Sequence, residues 1–167
     1  MKKITLILFA AFLASSCEQE PQKDFSARAL SEKLQTPSET NKSFAEILQQ
    51  HKGKPVVIEF WASWCGDCVK AMPKLKELQA AHPEVDYVFI SLDKTADKWK
   101  AGIQKHELAG DHYLVTDADG MKGEFGKSVN LDWIPRYLII DKEGKIALYR
   151  AIETDFATID ATLNKLK

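Results

Sequence analysis

The stretch that decides the fold is VVIEFWASWCGDC, which spans residues 56–68. Val56 to Phe60 is a short, mostly apolar run rich in β-branched residues, which is typical of a strand buried on both faces. After Cys65, apolar residues recur at helical spacing. The pattern therefore predicts a buried strand that leads through Cys65 directly into a helix over 66–81.

Predicted elements alternate along the rest of the chain. Ser43-Phe44-Ala45-Glu46 fits a capping box at a helix start. Further strands are predicted over 85–92, 113–115, 137–140 and 145–149, and further helices over 96–108, 121–127 and from 155 onward. The alternation predicts parallel strands with right-handed crossovers, and the turn over 141–144 predicts a terminal antiparallel hairpin. The expected fold class is α/β, with a central mixed sheet flanked by helices on both faces.

Length, charge and cysteine count limit the possible functions. A chain of 167 residues favours one folded domain. Its 23 basic and 24 acidic residues leave no broad basic surface, so no nucleic-acid partner is expected. Three cysteines are too few for a disulfide-stapled scaffold, and their odd number leaves one with a separate role.

The N-terminus resembles a bacterial lipoprotein signal. A short basic region precedes an apolar run of about 11 residues, which suits a signal peptide over 1–16 and is too short to span a bilayer. Leu13-Ala14-Ser15-Ser16-Cys17 is similar to a lipobox, in which the cysteine is acylated and becomes the mature N-terminus. We therefore expect lipidation of Cys17, a mainly polar tether over 17–42 and a folded domain over 43–167. Within the tether, Phe25, Leu30 and Leu34 could form one short amphipathic helix. An ordinary cleaved signal peptide or an uncleaved anchor is the alternative.

Cys65 and Cys68 carry the candidate chemistry. At a helix N-terminus, free amides and the helix dipole stabilise a thiolate, so the pKa of the Cys65 thiol should be lowered. Cys68 follows nearly one turn later, which lets the sulfurs bond and should bury the second one. Cys65 would attack a substrate disulfide and Cys68 would resolve the mixed disulfide. Half of a zinc site and a purely structural disulfide are the alternatives.

From about residue 54 the chain resembles the thioredoxin superfamily, in particular its membrane-tethered extracytoplasmic branch, the cytochrome-maturation thioredoxins. The resemblance rests on the strand and tryptophans before Cys65-Gly66-Asp67-Cys68, on Pro73 in the following helix, and on Ile134-Pro135 before an apolar strand. It implies a thioredoxin fold in which the Cys65–Cys68 disulfide is the redox group, with no other cofactor and no metal. It also implies a cis peptide at Pro135 that leaves the Ile134 backbone free to pair with substrate. The substrate-binding residues it implies are Trp64, Gly66, Asp67, Ile134 and Pro135.

Glu59 interrupts the buried strand, where a lone carboxylate is costly. The resemblance places it at the buried acidic position that shuttles a proton for the resolving cysteine, so burial should raise the pKa of Glu59 toward neutrality. The position where relatives often carry a lysine near this acid falls on Phe89. The alternative is a glutamate turned outward at a sheet edge.

Two residues depart from the family pattern. Asp67 stands where proline is frequent, and its carboxylate should disfavour the Cys65 thiolate and make the protein a better reductant. Trp133 stands where glycine is frequent. Trp61, Trp64 and Trp133 either line an apolar rim around the dithiol, or Trp61 and Trp133 belong to the core.

The resemblance implies a monomeric, lipid-anchored thiol-disulfide oxidoreductase of the cell envelope that faces the periplasm. It would reduce disulfides in extracytoplasmic proteins, as in cytochrome c maturation, and take electrons from a membrane thiol reductase. A dithiol oxidase or isomerase, a peroxidase, a Cu(I)-binding protein that uses both sulfurs, and a partner-binding lipoprotein with an idle dithiol remain alternatives. The client protein stays open.

Overall fold

A computed structural model describes residues 22–167. The expected signal peptide over 1–16 and the expected lipidation site Cys17 lie outside the described residues. Between residues 22 and 167, no helix combines the length and the apolar character that crossing a bilayer requires.

Strands and helices alternate through most of the described chain. The strands are β1 (Lys33–Gln35), β2 (Asn41–Ser43), β3 (Val56–Trp61), β4 (Asp86–Ser91), β5 (Asp111–Leu114), β6 (Arg136–Ile140) and β7 (Ile146–Ala151). The helices are α1 (Ala27–Ser31), α2 (Phe44–Gln50), α3 (Gly66–Ala81), α4 (Ala96–His106), α5 (Glu124–Ser128) and α6 (Phe156–Lys165), and a short 3-10 helix covers Gly120–Lys122. The predicted capping box at Ser43 is confirmed, because Ser43 and Glu46 each accept from the other's backbone amide.

All seven strands join one mixed sheet in the order β2-β1-β5-β4-β3-β6-β7. Strands β3, β4 and β5 run parallel, and β6 and β7 add antiparallel neighbours on the side of β3. The predicted mixed sheet and terminal hairpin are therefore confirmed. Because β3 lies inside the sheet, all of its side chains are buried, and Cys65 follows close to its carboxyl end.

Helices cover both faces of the sheet. On one face the ring of Phe60 packs on Phe125 of α5, and Phe125 packs edge-on against Phe44 of α2 at 5.3 Å between centroids. On the other face Trp61 lies against Gly102 of α4. The contact is close, because a Cβ added at Gly102 would lie 3.1 Å from the Trp61 indole. Helices α3 and α6 contact each other on this second face. Alternate residues of β3 thus face two different helical layers.

The expected tether over 17–42 is wrong from about residue 25 onward. Phe25 is buried and packs edge-on against Phe44 at 4.8 Å. Leu34 of β1 has no exposed surface, and β1 joins the sheet through β5 as well as β2. The polar composition of this segment concealed its folding, because β1 and β2 have three residues each and Leu34 is the one fully buried residue between them.

Replacing Leu34 with alanine tests whether this segment contributes to stability. A buried leucine shortened to alanine loses apolar contact and leaves a cavity, so the free energy of unfolding should fall by about 2–5 kcal/mol. Urea unfolding measures the change, with Lys33→Ala on the exposed face of the same strand as the matched control. An effect of Leu34→Ala no larger than that of Lys33→Ala would restore the expected tether.

Candidate active site

Cys65 lies between the end of β3 and the first residue of α3. It is the N-cap residue of α3, and its Sγ accepts a hydrogen bond from the backbone amide of Cys68 at 3.1 Å. The two cysteines form a disulfide. Cys65 keeps 6% of its surface exposed whereas Cys68 has none. Of the two sulfurs, the one at the helix start is therefore the one that a partner can approach.

The chain segment before β6 lies directly beside this sulfur. The carbonyl oxygen of Ile134 is 3.6 Å from Cys65 Sγ. The Ile134–Pro135 peptide bond is cis, as the family resemblance implies. Behind it the buried Arg136 donates to Asp132 at 2.6 Å and to the carbonyl of Arg150 at 2.8 Å. These bonds fasten the loop to β7, and sequence reasoning missed the role of Arg136.

An open cavity of about 240 Å³ borders Cys65. Trp64 and Trp133 are 58% and 52% exposed and form an apolar rim there. Trp61 has no exposed surface, so it belongs to the core and not to the rim. The lining residues are Trp64, Cys65, Gly66, Asp67, Met121, Trp133 and Ile134. Four of the five expected substrate-binding residues thus meet here, while Pro135 is buried outside this set.

Asp93 holds the loop that leads into the cysteines. Its buried carboxylate accepts from the amide and hydroxyl of Ser63 at 3.0 and 2.6 Å, and from the hydroxyl of Ser91 at 2.9 Å. A carboxylate with several donors is well stabilised in a buried place. Because Ser63 lies two residues before Cys65, this network fixes the backbone that carries the Cys65 sulfur. Nothing in the local sequence marks Asp93 for this role.

Glu59 is buried in the middle of β3, with 1% of its surface exposed. The alternative of an outward-turned edge residue is therefore wrong. Its strand neighbours are Phe89 on β4 and Tyr137 on β6, so an uncharged ring stands beside Glu59 on the β4 side. Tyr137 donates to Glu59 Oε1 at 3.1 Å. Loss of water around the carboxyl raises the pKa of Glu59 to about 8, and the bond from Tyr137 opposes that rise.

Asp67 occupies the first turn of α3, and its side chain is 44% exposed. Lys70 lies 3.4 Å from its carboxylate and partly offsets its charge. An exposed pair of this kind interacts weakly, because water screens it. The effect of Asp67 on the Cys65 thiolate stays a prediction.

Among residues 22–167, no three His, Cys, Asp or Glu side chains are grouped as a metal site would require. A soft metal ion would need Cys65 and Cys68 as free thiolates, whereas the two sulfurs are joined in a disulfide here.

A CxxC disulfide at a helix start, a cis-proline loop and a buried acid together form a site of the thioredoxin type. The thioredoxin-like family matches residues 53–146. The chain therefore belongs to the thioredoxin-like family.

Named relatives and solved structures agree with this assignment. The thiol-disulfide oxidoreductase ResA of Bacillus thuringiensis is 32% identical over 101 residues, which cover 59% of this chain and 56% of that protein. The chain thus spans little more than half the length of this curated relative. A thiol-disulfide oxidoreductase structure from Bacteroides fragilis is 25% identical with a TM-score of 0.66, and the match covers 81% of this chain and 96% of that one.

A further solved structure shares the fold. It is a secreted disulfide oxidoreductase of Mycobacterium tuberculosis described as homologous to E. coli DsbE, with 22% identity and a TM-score of 0.63. The match covers 84% of this chain and 100% of that one.

Changing Glu59 to glutamine should remove a pH dependence of stability. The carboxyl has a pKa near its ordinary value of 4.5 when unfolded and of about 8 when folded. Between these values the folded protein holds a proton that the unfolded chain releases, so its free energy of unfolding falls as pH rises, by up to about 1.4 kcal/mol per pH unit. Glutamine does not titrate, so the free energy of unfolding of Glu59→Gln, relative to that of the wild type, should rise steadily from about pH 5 to pH 8.

Urea unfolding across that pH range measures the difference. Glu143→Gln in the exposed β6–β7 turn is the matched control and should follow the wild type. A Glu59→Gln curve that declines in parallel with the wild type would show that another group causes the pH dependence.

Proposed function

We propose that the protein is a thiol-disulfide oxidoreductase of the cell envelope that reduces disulfides in other proteins. The observation that carries the proposal is the placement of Cys65. Its sulfur caps α3, borders the cavity under Trp64 and Trp133, and lies next to the Ile134 carbonyl, while Cys68 is sealed behind it. The oxidoreductase names of the relatives support the same activity.

The first step is attack by the Cys65 thiolate on a client disulfide. The helix amides stabilise this thiolate before attack. A bond forms between Cys65 Sγ and one client sulfur, and the other client sulfur leaves with the electron pair of the broken bond and takes a proton. An extended client segment can pair with the Ile134 backbone while its side chains contact the tryptophan rim.

The second step is release of the client by Cys68. Cys68 gives its proton to Glu59 and attacks Cys65 Sγ, which restores the Cys65–Cys68 disulfide and frees the second client thiolate. Glu59 suits this role because its pKa of about 8 lies near that of a thiol. The client gains two electrons and the dithiol loses two. A membrane thiol reductase would return the dithiol to its reduced form.

A Cys68→Ser variant should trap clients. Without the resolving sulfur the mixed disulfide on Cys65 persists, so envelope proteins should accumulate as covalent complexes that dithiothreitol releases. Non-reducing gels followed by mass spectrometry detect and name them. Cys65→Ser is the matched control and should trap few or none. Equal trapping by both variants would contradict the assigned order of attack.

A dithiol oxidase or isomerase is the competing activity, and the reduction potential separates it from a reductase. Equilibration with a thiol buffer should give a value near about −270 mV for thioredoxin-like reduction, whereas a value near about −120 mV would indicate an oxidant. Asp67 supports the lower value, because its negative charge disfavours the reduced thiolate form.

We also propose that Cys17 is lipidated and anchors the domain to a membrane on the periplasmic side. The small residues before Cys17 and the preceding apolar run support this. Metabolic labelling with a radioactive fatty acid should mark the wild type, and Cys17→Ser should lose the label and leave the membrane fraction. An unlabelled wild type, or a Cys17→Ser variant that keeps the label, would refute lipidation at this residue.

A further inference from the structure

The two carboxyl oxygens of Glu59 have different surroundings. Oε1 accepts the hydrogen bond from the Tyr137 hydroxyl at 3.1 Å. Oε2 is buried and has no hydrogen-bond partner among the groups of residues 22–167. An unpaired buried carboxylate oxygen is costly, and protonation of that oxygen removes its charge. One oxygen is thus fixed in place and the other is free to take up a proton.

The pairing of β3 with β6 sets the position of the Tyr137 hydroxyl relative to Glu59. Glu59 of β3 and Tyr137 of β6 are directly paired in the antiparallel register, so both side chains project from the same face of the sheet. The Tyr137 ring has no exposed surface and packs on Phe156 of α6 at 5.4 Å between centroids. The hydroxyl therefore reaches Glu59 from a rigid position.

Tyr137 stays protonated under ordinary conditions. Burial raises the pKa of the Tyr137 hydroxyl far above its usual value, and the charges of Glu59 and Glu153 raise it further. A phenol that keeps its proton can only donate toward a carboxylate. The hydroxyl therefore stabilises the ionised form of Glu59 and opposes the effect of burial.

Glu153 is the other charged group that acts on Tyr137, and its Oε2 is buried without a hydrogen-bond partner among residues 22–167. The remaining groups around this pair are uncharged, engaged elsewhere or exposed. Phe89 faces Glu59 from β4 and carries no charge. Between α3 and α6, which cover this face, His82 is bonded to Asp160 at 2.7 Å. Lys74 of α3 is exposed to solvent. Among residues 22–167, the causes that shift the pKa of Glu59 are burial and Tyr137.

We propose that Tyr137 is a positioning residue for Glu59: its hydroxyl holds Oε1 and leaves Oε2 to accept the proton of the resolving Cys68 thiol. The inference rests on the proposed function, since it concerns the second step of client reduction. In that step the S–H bond of Cys68 breaks, its proton passes to Oε2, and the new sulfur–sulfur bond forms as the client thiolate departs. Glu59 later returns the proton to solvent or to Cys68 when the dithiol is reduced again.

Tyr137→Phe is the sharpest test, because it removes the hydroxyl and keeps the ring. Loss of a donor to the carboxylate should raise the pKa of Glu59 by about 0.4–1 unit, the range for one net hydrogen bond. The pH at which the resolution step reaches half its maximal rate should rise by the same amount. At pH 7 the resolution step should slow about twofold to ninefold, because the ionised fraction of Glu59 falls by that factor, with little change in the initial attack.

Stopped-flow reaction with a model disulfide separates the two steps, and carbon-13 NMR of labelled glutamate follows the Glu59 carboxyl directly. Tyr149→Phe is the matched control: it removes a hydroxyl that donates to the Val129 carbonyl at 2.8 Å, and it should move neither quantity. Unchanged values for both quantities in Tyr137→Phe, or equal slowing of attack and resolution, would overturn the inference.

The two proposals fail in different ways. A wild-type protein that reduces no disulfide would refute the proposed function, whatever Tyr137 does. If the wild type is active and the pKa of Glu59 is the same in Tyr137→Phe as in the wild type, the role of Tyr137 alone is refuted.

Discussion

The hydrogen bond from the Cys68 amide to Cys65 Sγ organises the site, because it makes a sulfur the cap of α3. A helix start leaves backbone amides without partners, and they must be satisfied by a side chain, by water or by a ligand. Here the same amides that need a cap also stabilise negative charge on the sulfur. The atom that caps α3 therefore belongs to the more exposed of the two disulfide-bonded cysteines. The surrounding contacts, from Asp93 to Ser63 and from Arg136 to Asp132, hold the segments on either side of it.

Burial of Glu59 favours its neutral form, whereas a proton-transfer role requires that it can also ionise. A carboxylate in the interior of a sheet is strongly disfavoured, but a neutral carboxyl with one hydrogen bond costs much less. The pKa of about 8 means that Glu59 is mostly neutral near pH 7 and can still ionise at moderate cost. A lysine at the Phe89 position would pull that pKa down. A phenol in place of an ammonium group gives a gentler stabilisation and adds no charge to the core.

The sequence predicted correctly those features that depend on a few neighbouring residues with a well-defined structural preference. The capping box at Ser43, the CxxC pair at the end of a β-branched run and the proline before an apolar strand were all readable locally. It failed where contacts join distant segments. Asp93 and Arg136 look like ordinary charged residues until the sheet brings Ser63 and Asp132 to them. The segment over 25–42 looked mainly like a tether, because its strands are short and a paired edge strand can be mostly polar. Trp61 and Trp133 could not be assigned in advance, since a tryptophan suits both a core and an exposed rim.

Because residues 25–43 belong to the fold, less free chain is left to separate the domain from a membrane. If the lipid is attached at Cys17, only about eight residues separate it from Phe25, and even a fully extended chain of that length covers at most about 28 Å. A free chain from Cys17 to Ser43 could have extended roughly three times as far. The domain would then stay within about one of its own diameters of the bilayer surface, so donors and clients that it meets must themselves come close to that surface.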